Sequence, residues 1–554
     1  MSESPMGESS MGESAAGAAD PAGLRFWWRT FEGVQELFAE GHGEEGGPED
    51  PLPTKTYRGL PRHVLSPPAR RIGDARWSFA DFRRAHPKDG PSRDVLDEPV
   101  LSALLHYTYG LGRMESGPHA VWPYHRMVAS ARCFYPVELY LWPAEGAGDL
   151  PAGCYHYDPA HHALTGLRSG GIPRELRTAT GTGREGTLAL LVAAVCFRKT
   201  AFRYRDYAYR LCAQEVGMTV GNALLVGGAL GLRARVHHRF DDAVVNRALG
   251  LDGDEETAFA VLDLSPWRPS GTAPAPCDEE PGAPLPAIRP RHVRTNTADP
   301  ATWSGLAALD RASRLTGTGW EAPVDRDAFH LPADGPEHLA DGPTTTGRVP
   351  LTAAEPEHVE LAEALRARDS GGRMFLPDGR PLPARQLAGL LRHALEPVPS
   401  DHTEAACRPL VDCHVLVLNA VGAATGLYRL GAAPELVALP GRDWRGVVSM
   451  LCDRTPSVNS AKANAIVFLS ANRIAGDRWF GDRGYRILHQ EAGIVAQRIS
   501  VLAAAAGLSA RVTNGYHDGL VRALIGAGAA HVPVFTLVIG RRRASAQYEV
   551  PLTW

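Results

Sequence analysis

The chain has 554 residues, 44% hydrophobic and 22% charged, enough to build two or three domains with ample cores. A formal net charge of −4 excludes a general attraction to nucleic acid or to acidic membranes. The eight cysteines form no Cys-x-x-Cys pair, and Cys407, Cys413 and His414 fit no zinc spacing. Buried thiols in a reducing cytoplasm, and no metal, are the expectation.

Residues 1–20 are acidic, small and repetitive, with no basic start and no apolar core, and read as a disordered tail rather than a signal peptide. No apolar run reaches the roughly 18 residues of a membrane helix, and 188–197 reads as a buried strand. Residues 21–77 are an N-terminal extension. Within it, 26–38 carries two Trp and three Phe and suits an amphipathic helix that either docks a partner or packs on the body. A first module spans 78–266: a helix at 95–109, a polar and aromatic loop, a strand at 137–142, a hairpin at 153–157, a strand at 188–197, a long helix at 204–230 and a strand at 259–264. Residues 267–358 form a proline-rich linker with a bracing helix at 301–315. A second module fills 359–554, with helices at 384–395 and 483–506, strands at 414–419, 465–470 and 534–539, and a hairpin at Gly426-Leu427-Tyr428.

The two modules are copies. Tyr209-Arg210, Gln214-Glu215, Gly217, Gly231-Leu232 and Ala234-Arg235-Val236 recur as Tyr485-Arg486, Gln490-Glu491, Gly493, Gly507-Leu508 and Ala510-Arg511-Val512, at one offset of 276. Strands interleaved with amphipathic helices predict an α+β fold, a sheet with flanking helices in each module. The central helix of each copy is apolar all round and rich in small residues, which predicts two buried helices near an interface between the modules. The result is a fused dimer, a pseudo-dimer within one chain.

These residues resemble the nitroreductase superfamily, and within it the SagB-type flavin mononucleotide (FMN)-dependent dehydrogenases that oxidise azolines in ribosomally made peptides. The pattern Tyr-Arg-x3-Gln-Glu-x-Gly-x13-Gly-Leu is similar to that superfamily's flavin-side helix. Ala129-Ser130-Ala131-Arg132-Cys133-Phe134-Tyr135-Pro136-Val137-Glu138-Leu139-Tyr140 resembles its Ser-Ala loop and following strand, and Arg368-Asp369-Ser370-Gly371-Gly372-Arg373-Met374-Phe375 its Arg-x-Ser-x-Arg-x-Phe opening with one Gly inserted. The resemblance implies FMN held between modules that have divided their duties. The second module supplies Arg368, Ser370, Arg373, Gln497, the Asn514-Gly515 turn and Arg541 and Arg543; the first supplies Arg126, Ser130, Ala131 and Arg132. Arginine forks and a hydroxyl suit a phosphate-bearing ligand.

Azoline oxidation removes a proton from one ring carbon and a hydride from its neighbour, so a base is needed. Where the family carries Lys-Tyr before the central helix, this chain has Arg203-Tyr204, and its second copy Trp479-Phe480. Arginine keeps its proton and cannot be a base. Tyr204 is therefore expected as base or proton relay with Arg203 as electrostatic partner, and Lys199, Arg205 or Tyr207 could take over either role. The resemblance implies an azoline-bearing precursor peptide as substrate, oxygen as the final oxidant and a cyclodehydratase as partner. An NAD(P)H-driven reductase of nitro, quinone or alkene groups, and a flavin-free scaffold for the precursor, are the alternatives.

Overall fold

The computed structural model describes residues 21–40, 50–72, 93–117, 120–121, 123–182, 186–267, 284–293, 300–317, 324–331, 348–350, 360–402, 407–431, 435–439, 443–454, 456–543 and 547–552. The expected tail at 1–20 and most of the proline-rich linker lie outside them.

Two seven-stranded antiparallel sheets repeat one strand order. The first runs Arg62–Val64, Ala163–Ser169, Gly153–Asp158, Val137–Pro143, Ala189–Cys196, Glu256–Pro266, Leu232–His237. The second runs Arg348–Pro350, Glu435–Ala438, Gly426–Leu430, Asp412–Val417, Ala465–Asn472, His531–Gly540, Ser509–Thr513. The offset of 276 carries Ala189–Cys196 onto Ala465–Asn472, so the repeat extends well beyond the aligned motifs. Both are central strands, buried at almost every position, which explains their unbroken apolar runs.

The two long helices, Ala208–Ala229 and Gly484–Ala505, cross each other at the centre of the molecule. Gly217 and Gly493 form the crossing. A Cβ on Gly217 would stand 2.1 Å from the Gln490 carbonyl, and one on Gly493 2.3 Å from that of Gln214. Each glycine meets the counterpart of its own neighbour, the signature of a two-fold interface made within one chain.

Residues 204–230 are not one helix, as the sequence suggested. A short helix, Arg198–Tyr204, ends at Arg205 (φ 48°), and the long helix starts at Ala208. The counterpart of Arg205 is Gly481 (φ 58°), where the second copy breaks in the same way. That glycine was the overlooked signal. The break lets the Asp206 carboxylate accept from Leu306 N at 2.8 Å, anchoring the helix Ser304–Ala312.

The N-terminal extension packs on the body as two helices, Ala22–Thr30 and Val34–Ala39. Phe26 and Trp27 sit against Tyr485, with Tyr209 beside Phe26 and His489 beside Trp27, which closes the pseudo-two-fold axis at the starts of both long helices. The C-terminal strand Tyr548–Pro551 crosses over to pair with Leu111–Ser116 of the first module, itself paired with Tyr124–Arg126. No sequence signal marked that exchange. Among the described residues no helix is long and apolar enough to cross a membrane.

Candidate functional site

The loop before strand Val137–Pro143 meets the start of the second module. Arg368 donates through Nε to the Met127 carbonyl at 3.1 Å, through Nη2 to the Arg126 carbonyl at 3.4 Å, and through Nη1 to Ser370 Oγ at 3.3 Å. Gln497, from the second long helix, donates to the same Met127 carbonyl at 3.2 Å and to Asn222 Oδ1 at 2.8 Å. Arg126, Arg368, Ser370 and Gln497 thus come together at the seam, although more than 240 residues separate Arg126 from Arg368.

The sequence reading gave no site role to Arg113 or Arg511, which complete the cluster. Arg113 bonds the Arg368 carbonyl and the Asp369 carboxylate, both at 2.9 Å. Arg511, on the strand Ser509–Thr513, donates through Nε to the Ser370 carbonyl at 2.7 Å. In the run Arg541–Arg543 the middle residue reaches the site: Arg542 lies 3.2 Å from Asp369, while Arg541 and Arg543 flank it and Arg543 is exposed. Arg373 is exposed too, beyond the Gly371-Gly372 turn, rather than in the cluster. Asn514 is also elsewhere, exchanging two amide bonds with Gln214 at 2.8 and 3.1 Å, and Gly515 N bonds Thr513 Oγ1.

Four guanidinium groups, Arg113, Arg368, Arg511 and Arg542, act on the Asp369 carboxylate, and Arg113 also lies 3.6 Å from Glu115. Burial and the neighbouring Arg113 lower the pKa of Arg368. Burial acts against ionised Asp369, and Arg113 and Arg542 outweigh it and hold the carboxyl low. Arg126 is 3% exposed and stacks between the rings of Tyr109 and Tyr135. Its Nη2 donates to the Pro53 carbonyl, but Nε and Nη1 are buried with no hydrogen-bond partner, as is Gln497 Oε1. Buried donors left unmatched are costly, so an anion or polar ligand at the seam fits this donor set.

The Ser-Ala loop is strained. Arg132, Cys133 and Tyr135 all have left-handed backbones, with φ of 50°, 56° and 50°. Non-glycine residues hold such conformations at a cost of about 1–3 kcal/mol each, and such outliers cluster at functional sites. Ser130, beside half-buried Ala131, accepts from Tyr135 N at 2.9 Å and bonds Glu215. Burial pushes the Glu215 carboxyl up to about 7 against the hydrogen bonds of Ser130 and Tyr109.

Tyr204 and Arg203 are half-buried at the end of their short helix, and Tyr204 packs on the loop residue Phe134. Lys199, on the same helix, is buried and bonds Glu138 Oε1 at 2.5 Å, the Pro53 carbonyl at 3.3 Å and the Tyr135 carbonyl at 3.4 Å. Glu138 also pairs with His156 at 2.8 Å. Burial opposes ionised Glu138, yet Lys199 and His156 hold it well below the usual carboxylate range.

The pseudo-symmetric counterpart of the cluster is closed. Val236, counterpart of Val512, donates to the Pro399 carbonyl and accepts from Asp401 N, both at 3.0 Å. The Asp401 carboxylate accepts from His238 N and Arg239 N, the positions matching Asn514-Gly515. His402 stacks on His238 with ring centres 4.8 Å apart. A segment of the second module therefore covers this edge through a single β-bridge, Val236 with Ser400, and the Asp401 and His402 side chains.

No family model matches the chain. Curated relatives do. The microcin B17-processing protein McbC of Escherichia coli is 31% identical over 133 residues, 23% of this chain and 49% of that protein. The trifolitoxin-processing protein TfxB of Rhizobium leguminosarum bv. trifolii is 24% identical over 182 residues, 31% of this chain and 48% of that protein. The chain thus spans about half the length of the curated relatives it matches. A solved structure from Anabaena variabilis, a nitroreductase by name, superposes on 95% of this chain and all of its own, with a TM-score of 0.68 at 20% identity. The two-sheet arrangement as a whole is therefore a nitroreductase-like fold.

Proposed function

We propose that this chain is an FMN-dependent dehydrogenase that oxidises peptide thiazolines or oxazolines to azoles during maturation of a ribosomally made peptide. The observation that carries the reading is the similarity to two peptide-processing proteins in a chain whose fold is nitroreductase-like. A precursor peptide as substrate, a cyclodehydratase as partner and a cytoplasmic location follow from the same reading.

FMN, when bound, accepts the hydride, and oxygen reoxidises it. The chain's own residues do the rest. Arg126, Arg368, Ser370 and Arg511 suit a phosphate, and Gln497 offers a polar contact to a flavin ring. Ser130, Ala131 and Arg132 border the reaction side. Tyr204 takes or relays the ring proton, helped by the positive charge of Arg203 beside it. Lys199, already committed to Glu138, braces the loop through the Tyr135 carbonyl. Asn514 and Gly515 line the far end of the strand that carries Arg511, and Arg541, Arg543 and exposed Arg373 add positive charge at the rim. One composite site per chain is supported by the seal that 398–402 places on the counterpart edge.

The fold neighbour's name favours a second reading, NAD(P)H-driven reduction of nitro, quinone or alkene groups. One assay separates the two. Purified yellow protein given a thiazoline peptide and oxygen should form the thiazole, two mass units lighter, without nicotinamide. Consumption of NAD(P)H with no azole formed would replace this reading by the second.

A further inference from the structure

Cys133 sits at the strained tip of the reaction-side loop, half-buried. Its Sγ lies 3.8 Å from His125 Nδ1, and His125 Nε2 lies 3.3 Å from Glu115 Oε1. The three residues come from the loop and from both strands of the hairpin Leu111–Ser116 and Tyr124–Arg126. Burial alone would lower the His125 pKa, but the contacts with Cys133 and Glu115 reverse this and push it up to about 9. A positive His125 ring and an anionic Cys133 sulfur therefore favour one another. Arg368 and Arg511 act electrostatically on the same sulfur, Tyr135 faces it from the loop, and Arg113 bears on the His125 ring beside it. Opposing them are Glu115, 3.6 Å from Arg113, and Asp369.

The other described thiols offer a contrast. Cys154, Cys196, Cys212 and Cys413 are buried, and burial pushes Cys154 and Cys413 up to about 12 and Cys196 up to about 11. Cys407, like Cys133, is partly accessible, and Cys133 has the Cys-His-Glu arrangement described above. Cationic, partly exposed surroundings are what make a cysteine sulfur a nucleophile.

We propose that Cys133 is a modification site, a nucleophilic sulfur that takes low-molecular-mass disulfides and reversibly blocks the reaction side of the loop. The sulfur attacks one sulfur of RS–SR; the Cys133–SR bond forms, the RS–SR bond breaks, and RS⁻ leaves with the electron pair. Any proton on the sulfur passes to water, and the positive His125 ring balances the attacking anion. A free thiol reverses the step. That the adduct stops azoline oxidation rests on the function proposed above; the modification itself does not.

The test treats the full chain at neutral pH with one equivalent of 5,5′-dithiobis(2-nitrobenzoic acid), following released thionitrobenzoate and mapping the adduct over all eight cysteines by mass spectrometry. The first equivalent should map to Cys133 and vanish in Cys133→Ser. His125→Asn should slow it by about tenfold or more, and Glu115→Gln in the same direction, because the balancing charge is lost. A first equivalent on another cysteine, or a rate indifferent to both variants, overturns the site. Loss of turnover that returns with dithiothreitol supports the block, and full turnover of labelled protein overturns it. Protein that labels at Cys133 but never oxidises azolines counts against the proposed function alone.

Discussion

Gly217 and Gly493, 276 residues apart, lie so close that a Cβ built on Gly493 would be 2.8 Å from Gly217 Cα. Everything proposed for the seam depends on this crossing, because it sets how near Gln497 comes to the loop of the other module. Gly493→Ala puts a methyl group against the Gln214 carbonyl, a backbone atom that cannot swing aside. Overpacking of this kind costs typically about 1–3 kcal/mol. Chemical denaturation should show a lower midpoint in Gly493→Ala, with Gly493→Val worse; equal midpoints would mean the helices separate freely.

Ligand retention should depend on Arg126. Its side chain makes one hydrogen bond and leaves two buried donors unmatched between the Tyr109 and Tyr135 rings, so a bound anion would complete its bonding. Released flavin per chain should be near one in the wild type and fall several-fold in Arg126→Ala and Arg368→Ala. A wild-type ratio near two would refute the sealed counterpart edge.

Turnover should depend on Tyr204 without loss of colour. Phenylalanine keeps the packing on Phe134 and deletes only the hydroxyl. A positioned proton acceptor contributes about 10²–10⁴-fold. Tyr204→Phe should lower kcat within that range while the flavin spectrum is unchanged; unaltered kcat assigns the proton transfer to another group.

Glu215 should make stability fall as pH rises. Its folded pKa, about 7, lies above the roughly 4.3 of an unfolded glutamate. Between those values the folded chain holds a proton that the unfolded chain has released, so stability is highest below the window and lost through it. Glu215→Gln removes the titration and leaves Tyr109 and Ser130 hydrogen-bonded. Its Tm advantage over wild type should widen between pH 5 and pH 8, by roughly 1 °C for each kcal/mol involved in a chain of this size. A constant difference would mean that Glu215 does not titrate there.

Much of the architecture was legible in the sequence because it is periodic or repeated. The central strands are continuous apolar runs, the two long helices share an offset, and their glycines face a neighbouring backbone. The break at Arg205 was hidden because its left-handed conformation falls on an arginine, although Gly481 marked the same corner in the other copy.

The sequence by itself determined the two copies, their similar succession of elements and the residue types from which a charged seam could be built, since these follow from local pattern. Only the tertiary structure decided which of those residues meet. Arg113 carries no motif and Arg511 only the repeat it shares with Arg235, yet long-range pairing brings both to the Arg368–Ser370 segment. Arg373 carries one, and a two-glycine turn sends it to solvent. The seal on the counterpart edge likewise depends on long-range contacts, main-chain bonds between Val236 and 399–401 and the Asp401 carboxylate on His238 N and Arg239 N, which no local sequence pattern marks.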